Sequence, residues 1–191
     1  MLPVIGRTPL AYSTLAPKPT PIPAPPAASS RLNRFLLDCR RLSTHGLTYQ
    51  FGSNDPRKGG FDCSGVIEHL LLKHGISEVP RTAQTQWDWL ERRGTLNATS
   101  RWSSPSRVHA RLRPGDLLFW RGTYSSNDPR KITHVMVYLG PDSRSGKPMM
   151  FGASSRRSGG IHGNGVDIFE FKYPNKYSKG TFAGYGRIPG M

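Results

Sequence analysis

The amino-acid sequence predicts an α+β domain, and two observations carry that prediction. Apolar residues recur at helical spacing through the first half of the chain, whereas the second half holds short apolar runs separated by Gly, Pro, Ser and Asp clusters. At 191 residues the chain is long enough to bury one ordinary core.

Residues 1–28 are read as a flexible tail. From Ala16 to Pro26 nearly every second residue is proline, which favours an extended polyproline chain and forbids a helix or a central strand. The domain is taken as 29–191. Ser29-Ser30 offers a helix cap, and Leu32, Phe35, Leu36, Cys39 and Leu42 then mark an amphipathic helix ending near Gly46. Cys39 lies on the apolar stripe, where a free thiol packs as a small hydrophobe. A turn-rich loop, Tyr49 to Gly60, leads to a helix from about Cys63 to His74, with Val66, Ile67, Leu70 and Leu71 inward and Gly75 as its stop.

A third helix is expected from Thr82 to Arg93. Five strands follow, at Asp116–Trp120, His134–Leu139, Met149–Ala153, Val166–Phe171 and Phe182–Arg187. The hexapeptide at Ser53–Lys58 recurs identically at Ser126–Lys131. It reads either as two independent Asn-Asp-Pro turns or as two basic loops flanking one cleft.

The net charge of +15 favours a polyanionic partner: nucleic acid, an anionic membrane or an acidic cell-wall polymer. The basic residues are scattered in short groups such as Arg40-Arg41, Arg92-Arg93 and Arg156-Arg157, so no specific nucleic-acid motif is present. Two cysteines cannot build a disulfide scaffold, and the histidines and cysteines lack metal-ligand spacing, so no cofactor or metal is expected. There is no apolar run long enough for a transmembrane segment, and Met1 to Arg7 makes a poor secretory signal. The sequon Asn97-Ala98-Thr99 carries no inference.

The chemistry concentrates in Phe61-Asp-Cys-Ser-Gly65, answered 71 residues after Cys63 by the strand that His134 opens. A thiolate forms more readily at a helix N-terminus, where unpaired N–H groups point outward and can also hold an oxyanion. His69 lies six residues along the same helix, about 240° round, so the base must come from another element. His134 has Met136 and Tyr138 on its own face of the strand and Val135, Val137 and Leu139 on the other.

These residues resemble the NlpC family of papain-like cysteine peptidases that cut peptidoglycan stem peptides. The matching segments are Tyr49, Phe61-Asp-Cys-Ser-Gly65, Pro80-Arg81-Thr82 with Gln86, Leu112-Arg-Pro-Gly-Asp-Leu117 and His134-Val-Met-Val-Tyr-Leu-Gly140. The resemblance implies a papain-like fold, with Cys63 as nucleophile and His134 as general base. It implies that Asp62, Ser64 and Tyr49 grip the free amine of an N-terminal L-alanine, with Arg81 and Gln86 as scaffold. The implied reaction is hydrolysis of stem amides, most specifically the D-γ-glutamyl–diamino acid bond, by a monomer in the cell envelope, with anionic wall polymers as further partners.

The family places a third polar residue, often histidine, where this chain has Gly152. Strand folding is expected to put Gly152 or Ala153 opposite His134. His162, Asn164 or a backbone carbonyl could substitute, and His162 is taken as the third catalytic residue. Two other readings use the same residues: an impaired wall-binding module, and an acyltransferase or amidase acting on a different acyl substrate.

Overall fold

The computed structural model describes residues 27–100, 102–155, 160–175 and 177–191. The proline-dense stretch and the Arg156-Arg157 pair lie outside them. Helix α1 runs Ala27–Leu42, starting before the serines expected to cap it. Its stripe holds as predicted: Phe35 and Cys39 are fully buried, and Leu32, Leu36 and Leu42 pack at the rim. Asp38 on α1 reaches Lys73 Nζ at 2.9 Å and His74 Nε2 at 3.1 Å, pinning the end of the next helix.

The loop contains two short strands, β1 (Thr48–Tyr49) and β2 (Gly60–Phe61), paired in parallel. Between them Pro56–Lys58 forms a 3-10 turn that Asp55 caps through the Arg57 N–H. Helix α2 (Cys63–Lys73) follows at once, with Asp62 as N-cap, and buries Val66, Ile67, Leu70 and Leu71. Helix α3 (Ala83–Arg92) starts from a reciprocal Thr82–Thr85 capping box, which satisfies two amides that a helix start leaves open.

The sheet has six strands where five were expected. They are β3 (Leu96–Ala98), β4 (Leu117–Arg121), β5 (Ile132–Pro141), β6 (Pro148–Ala153), β7 (Val166–Glu170) and β8 (Thr181–Gly186), in the antiparallel order β3-β8-β4-β5-β6-β7. β3 escaped the sequence reading because its three residues, Leu-Asn-Ala, are largely exposed and show no apolar alternation. The short helix α4 (Pro105–Arg111), also unexpected, buries only Val108 of its own residues.

Strand alternation divides the interior into two layers. Val135, Val137, Leu139, Phe151, Ala153 and Ile168 face α1, α2 and α3. Leu118, Trp120, Met136, Tyr138, Phe169 and Phe182 face the other way and enclose Val108 of α4. Each large apolar side chain buried in either layer contributes roughly 1.5–3 kcal/mol. The faces assigned to β5 from sequence are the observed ones.

Candidate active site

The Cys63 wall is built by backbone geometry. The β1–β2 pair brings Ser53 under the start of α2, where its carbonyl accepts the Asp62 N–H at 3.0 Å. A Cβ at Gly65 would collide with that same carbonyl, which is why the third residue after the cap is glycine. Gln86, fully buried on α3, donates to the Ser64 carbonyl at 3.0 Å and the Pro80 carbonyl at 2.9 Å, tying the first turn of α2 to α3.

Asp62 is the electrostatic centre of this wall. Its Oδ1 accepts the Gly65 N–H at 2.7 Å and Arg81 Nη1 at 3.0 Å, while its Oδ2 accepts the Gly52 N–H at 2.9 Å and Arg81 Nη2 at 2.6 Å. Arg81 Nη1 also donates to the Ser64 hydroxyl at 3.1 Å. Such a bidentate, charge-assisted pair fixes orientation as well as charge. Arg81, read from sequence as scaffold, therefore stands inside the group expected to hold a substrate amine.

The thiol of Cys63 is 8 % exposed, and the N–H groups of Val135, Ser64 and Cys63 itself approach its sulfur. Burial, seconded by the Asp62 charge, outweighs those amides and pushes the thiol up to about 11. Burial pushes His134 down to about 4. Both shifts favour the uncharged forms, thiol and imidazole.

His134 belongs to the same cleft. One lobe, of about 440 Å³, is lined by Asp62, Cys63, Ser64 and Arg81; the other, of about 480 Å³, by His134 and Ser154. Tyr49, Phe51, Tyr124 and Thr133 line both. Regular alternation would turn Thr133 and His134 to opposite faces, yet both line the cleft. The β4–β5 register explains this: Trp120 pairs with His134 but Arg121 with Ile132, leaving Thr133 as an extra residue. Such a bulge re-aims side chains at the end of a strand. The His134 ring then rests against Trp120, with centroids 5.7 Å apart.

Three site expectations need correction or addition. Gly152 does not lie opposite His134: the register Val137↔Phe151 sets it across from Met136, whose side chain a Cβ there would meet. Position 154 is level with His134 instead. His162 is not brought to His134; its Nδ1 bonds Asp167 Oδ1 at 2.9 Å, and among the described residues it lines neither lobe. Asn164 likewise turns away, its amide donating to the Ser43 carbonyl at 3.3 Å.

Tyr124 and Phe51 were missed. Tyr124 has its hydroxyl pushed up by burial and then by Cys63 and Asp62, as Tyr49 has, the latter to about 12. Phe51 stands 85 % exposed at the rim. Nothing in loop sequences with no periodicity could have placed them.

The repeated hexapeptide forms one turn twice. Asp55 and Asp128 each accept the N–H two residues on, at 3.0 and 2.8 Å, and each carbonyl accepts the following lysine N–H at 3.1 Å. The second copy also carries Lys131 to the Cys63 lobe.

Comparison with known proteins agrees with this geometry. A region of the chain, residues 46–175, matches the family model of the NlpC/P60 family. The bifunctional muramidase/DL-endopeptidase CwlT of Bacillus subtilis is 35 % identical over 99 residues, covering 52 % of this chain and 24 % of that protein. The gamma-DL-glutamyl hydrolase of the same organism is 28 % identical over 95 residues, 50 % of this chain and 18 % of the relative. The chain thus spans about a quarter or less of these relatives. Among solved structures, NlpC2 from Trichomonas vaginalis superposes with a TM-score of 0.50 at 19 % identity, over 82 % of this chain and 46 % of that one, and so shares the fold. By a match that includes both the Cys63 helix and the His134 strand, the chain belongs to the NlpC/P60 family.

Proposed function

We propose that this domain is a cysteine endopeptidase that hydrolyses amide bonds in the stem peptides of bacterial peptidoglycan, with the D-γ-glutamyl–diamino acid bond as its target. The observation that carries the reading is the Cys63 sulfur at the start of α2, in one cleft with His134. The names of two relatives, a DL-endopeptidase and a gamma-DL-glutamyl hydrolase, support the bond class.

In this mechanism His134, neutral at ordinary pH, takes the Cys63 proton as the sulfur attacks the stem carbonyl. With the thiol pushed up by burial, it depends on His134 to take its proton for the sulfur to attack. The Cys63 and Ser64 amides at the helix start offer donors for the oxyanion. The imidazolium then protonates the leaving amine, and water, deprotonated by His134, releases the acyl group. Tyr49 and Ser64 receive the N-terminal amine of the stem, with Asp62 behind them sharing its charge between that amine and Arg81. Such a role places the protein in the cell envelope.

The test is mass spectrometry of purified muropeptides incubated with the protein and with Cys63→Ala. Cleavage between D-glutamate and the diamino acid, lost in the variant, is the expected result. Intact muropeptides beside a thiol that iodoacetamide still alkylates would overturn the peptidase reading in favour of another acyl substrate. A glycine at the family's third position favours one rival, a wall-binding module; that reading predicts muropeptide binding that survives Cys63→Ala without cleavage.

A further inference from the structure

We propose that the α4 side of the sheet carries a second binding site, for a linear phosphodiester polymer of the anionic cell-wall type. A cavity of about 590 Å³ opens between β3, α4 and β8, lined among others by Asn97, Trp102, Arg107, Arg111 and Tyr185. Asn97, Arg111 and Tyr185 also line a second cavity of about 310 Å³, which adds Arg113 and Arg187. The two form one groove, and it shares no residue with the cleft around Cys63 and His134.

Four guanidinium groups line this groove, and all four arginines are exposed. Among the described residues none makes an ion pair with a carboxylate. The carboxylate lining the groove belongs to Asp116, which is 3 % exposed and accepts the Arg113 backbone N–H at 2.8 Å. Its charge draws on Arg113 and Arg187 without contact. Arg107 and Arg111 are one helical turn apart, so both project from one face of α4.

Four guanidinium groups beside one buried carboxylate leave an excess of positive charge that opposes the compact state, and an anion removes that penalty. Guanidinium pairs match phosphate oxygens in bidentate fashion, and a row of them suits a repeating anion better than a single one. Trp102, 81 % exposed at the mouth, offers apolar surface to the carbon units between phosphates, while the buried Tyr185 meets the Arg111 side chain through its hydroxyl. Single-stranded nucleic acid would call for successive aromatic platforms along the groove, and among the described residues Trp102 is the one exposed aromatic ring lining it. Choosing a wall polymer among phosphodiesters rests on the proposed peptidoglycan substrate; the groove itself does not.

The experiment is fluorescence anisotropy of a labelled poly(glycerol phosphate) of about ten units with the full chain. The variants are R107Q/R111Q and, as a charge-matched control, R57Q/R130Q on the two repeated turns. R107Q/R111Q should weaken binding at least about tenfold and lower the salt slope by roughly 1.4, from two lost phosphates at about 0.7 each. The control should change affinity less than about twofold. Circular dichroism confirms that each variant is folded. Equal losses in both variants would show general charge attraction and overturn the site. Single-stranded DNA of equal length, binding as tightly with the same loss, would overturn the choice of polymer. Stem-peptide hydrolysis by R107Q/R111Q should stay at the wild-type rate. If the wild type cleaves no muropeptide yet binds the polymer through these arginines, the groove stands and the peptidase reading falls.

Discussion

The two walls of the proposed catalytic cleft are held by different physics. On the Cys63 side, the Asp62 carboxylate meets two backbone amides and both arms of Arg81, Gly65 fits against a carbonyl, and buried Gln86 ties the helix turn to α3. On the His134 side, the ring leans on Trp120, and its neighbourhood was shaped by a one-residue bulge and packing. Gly152, across from Met136, offers no side chain to orient the ring. A polar network fixes atoms to tenths of an ångström, whereas an aromatic contact fixes a ring plane and leaves rotation within it. Cys63, the proposed nucleophile, is thus the over-determined partner, and His134, the proposed base, is the tunable one.

Activity separates the walls most sharply. Cys63→Ala should abolish muropeptide cleavage, a loss of at least about 10⁴-fold, because the covalent intermediate cannot form. His134→Ala should cost about 10²–10⁴-fold in kcat, since oxyanion donors and binding remain to act on the substrate. Equal residual rates in the two variants would show that both walls act only as one unit.

Stability should respond on the Cys63 side. Arg81→Met leaves the buried Asp62 carboxylate without its cation, and urea denaturation should show a loss of about 3 kcal/mol. Trp120→Leu, across the cleft, keeps an apolar side chain but gives up ring contacts with Phe171 and Phe182, and should lose about 2 kcal/mol, less than the arginine variant. If Trp120→Leu proves the worse of the two, apolar packing and not the Asp62 network dominates the site.

The readable parts of this molecule were those that repeat. Periodicity placed α1 to α3, five of six sheet strands and both faces of β5, and the residues around Cys63 and His134 pointed to the family. Contacts that depend on register were harder to read. One bulged residue, Thr133, turns into the cleft beside His134, and a one-step difference in pairing sets Gly152 across from Met136. His162 looked available because a glycine-rich turn hides what its histidine meets, and Asp167, five residues on, gave no sign that it would be buried beneath it. Arg81 was legible as part of a motif, but its bond to Asp62 joins residues 19 apart on separate elements.

Acid should expose the base wall. His134 is held down to about 4 while an unfolded histidine titrates near 6.5, roughly its unperturbed value. Between those values the unfolded chain binds the proton and the folded one does not, so stability falls as pH drops from about 6.5 towards 4. Activity follows the folded group: kcat/KM should hold down to about pH 5 and fall through a limb near 4 as the imidazole becomes charged. Iodoacetamide, which reads thiolate without needing substrate, should instead react faster with rising pH up to about 11. A single limb shared by hydrolysis and alkylation near neutral pH would mean a preformed thiolate–imidazolium pair, and the contrast between the walls would collapse.

The smallest effect should come from returning a side chain to the base wall. Gly152→His places a ring against Met136, whose Cγ lies 2.9 Å from the new Cβ, so the methionine must shift. Methionine is unbranched and yields readily, so the stability cost should stay near 1 kcal/mol. From Gly152 the new imidazole lies on the diagonal to His134, within reach of a long side chain, and could accept its N–H. That bond would raise the His134 pKa and hold its tautomer, moving the acid limb of the pH profile upward with kcat changed less than about tenfold. An unmoved limb in a folded variant would show that Trp120 and the bulge alone set the ring, and that this chain orients its base by packing.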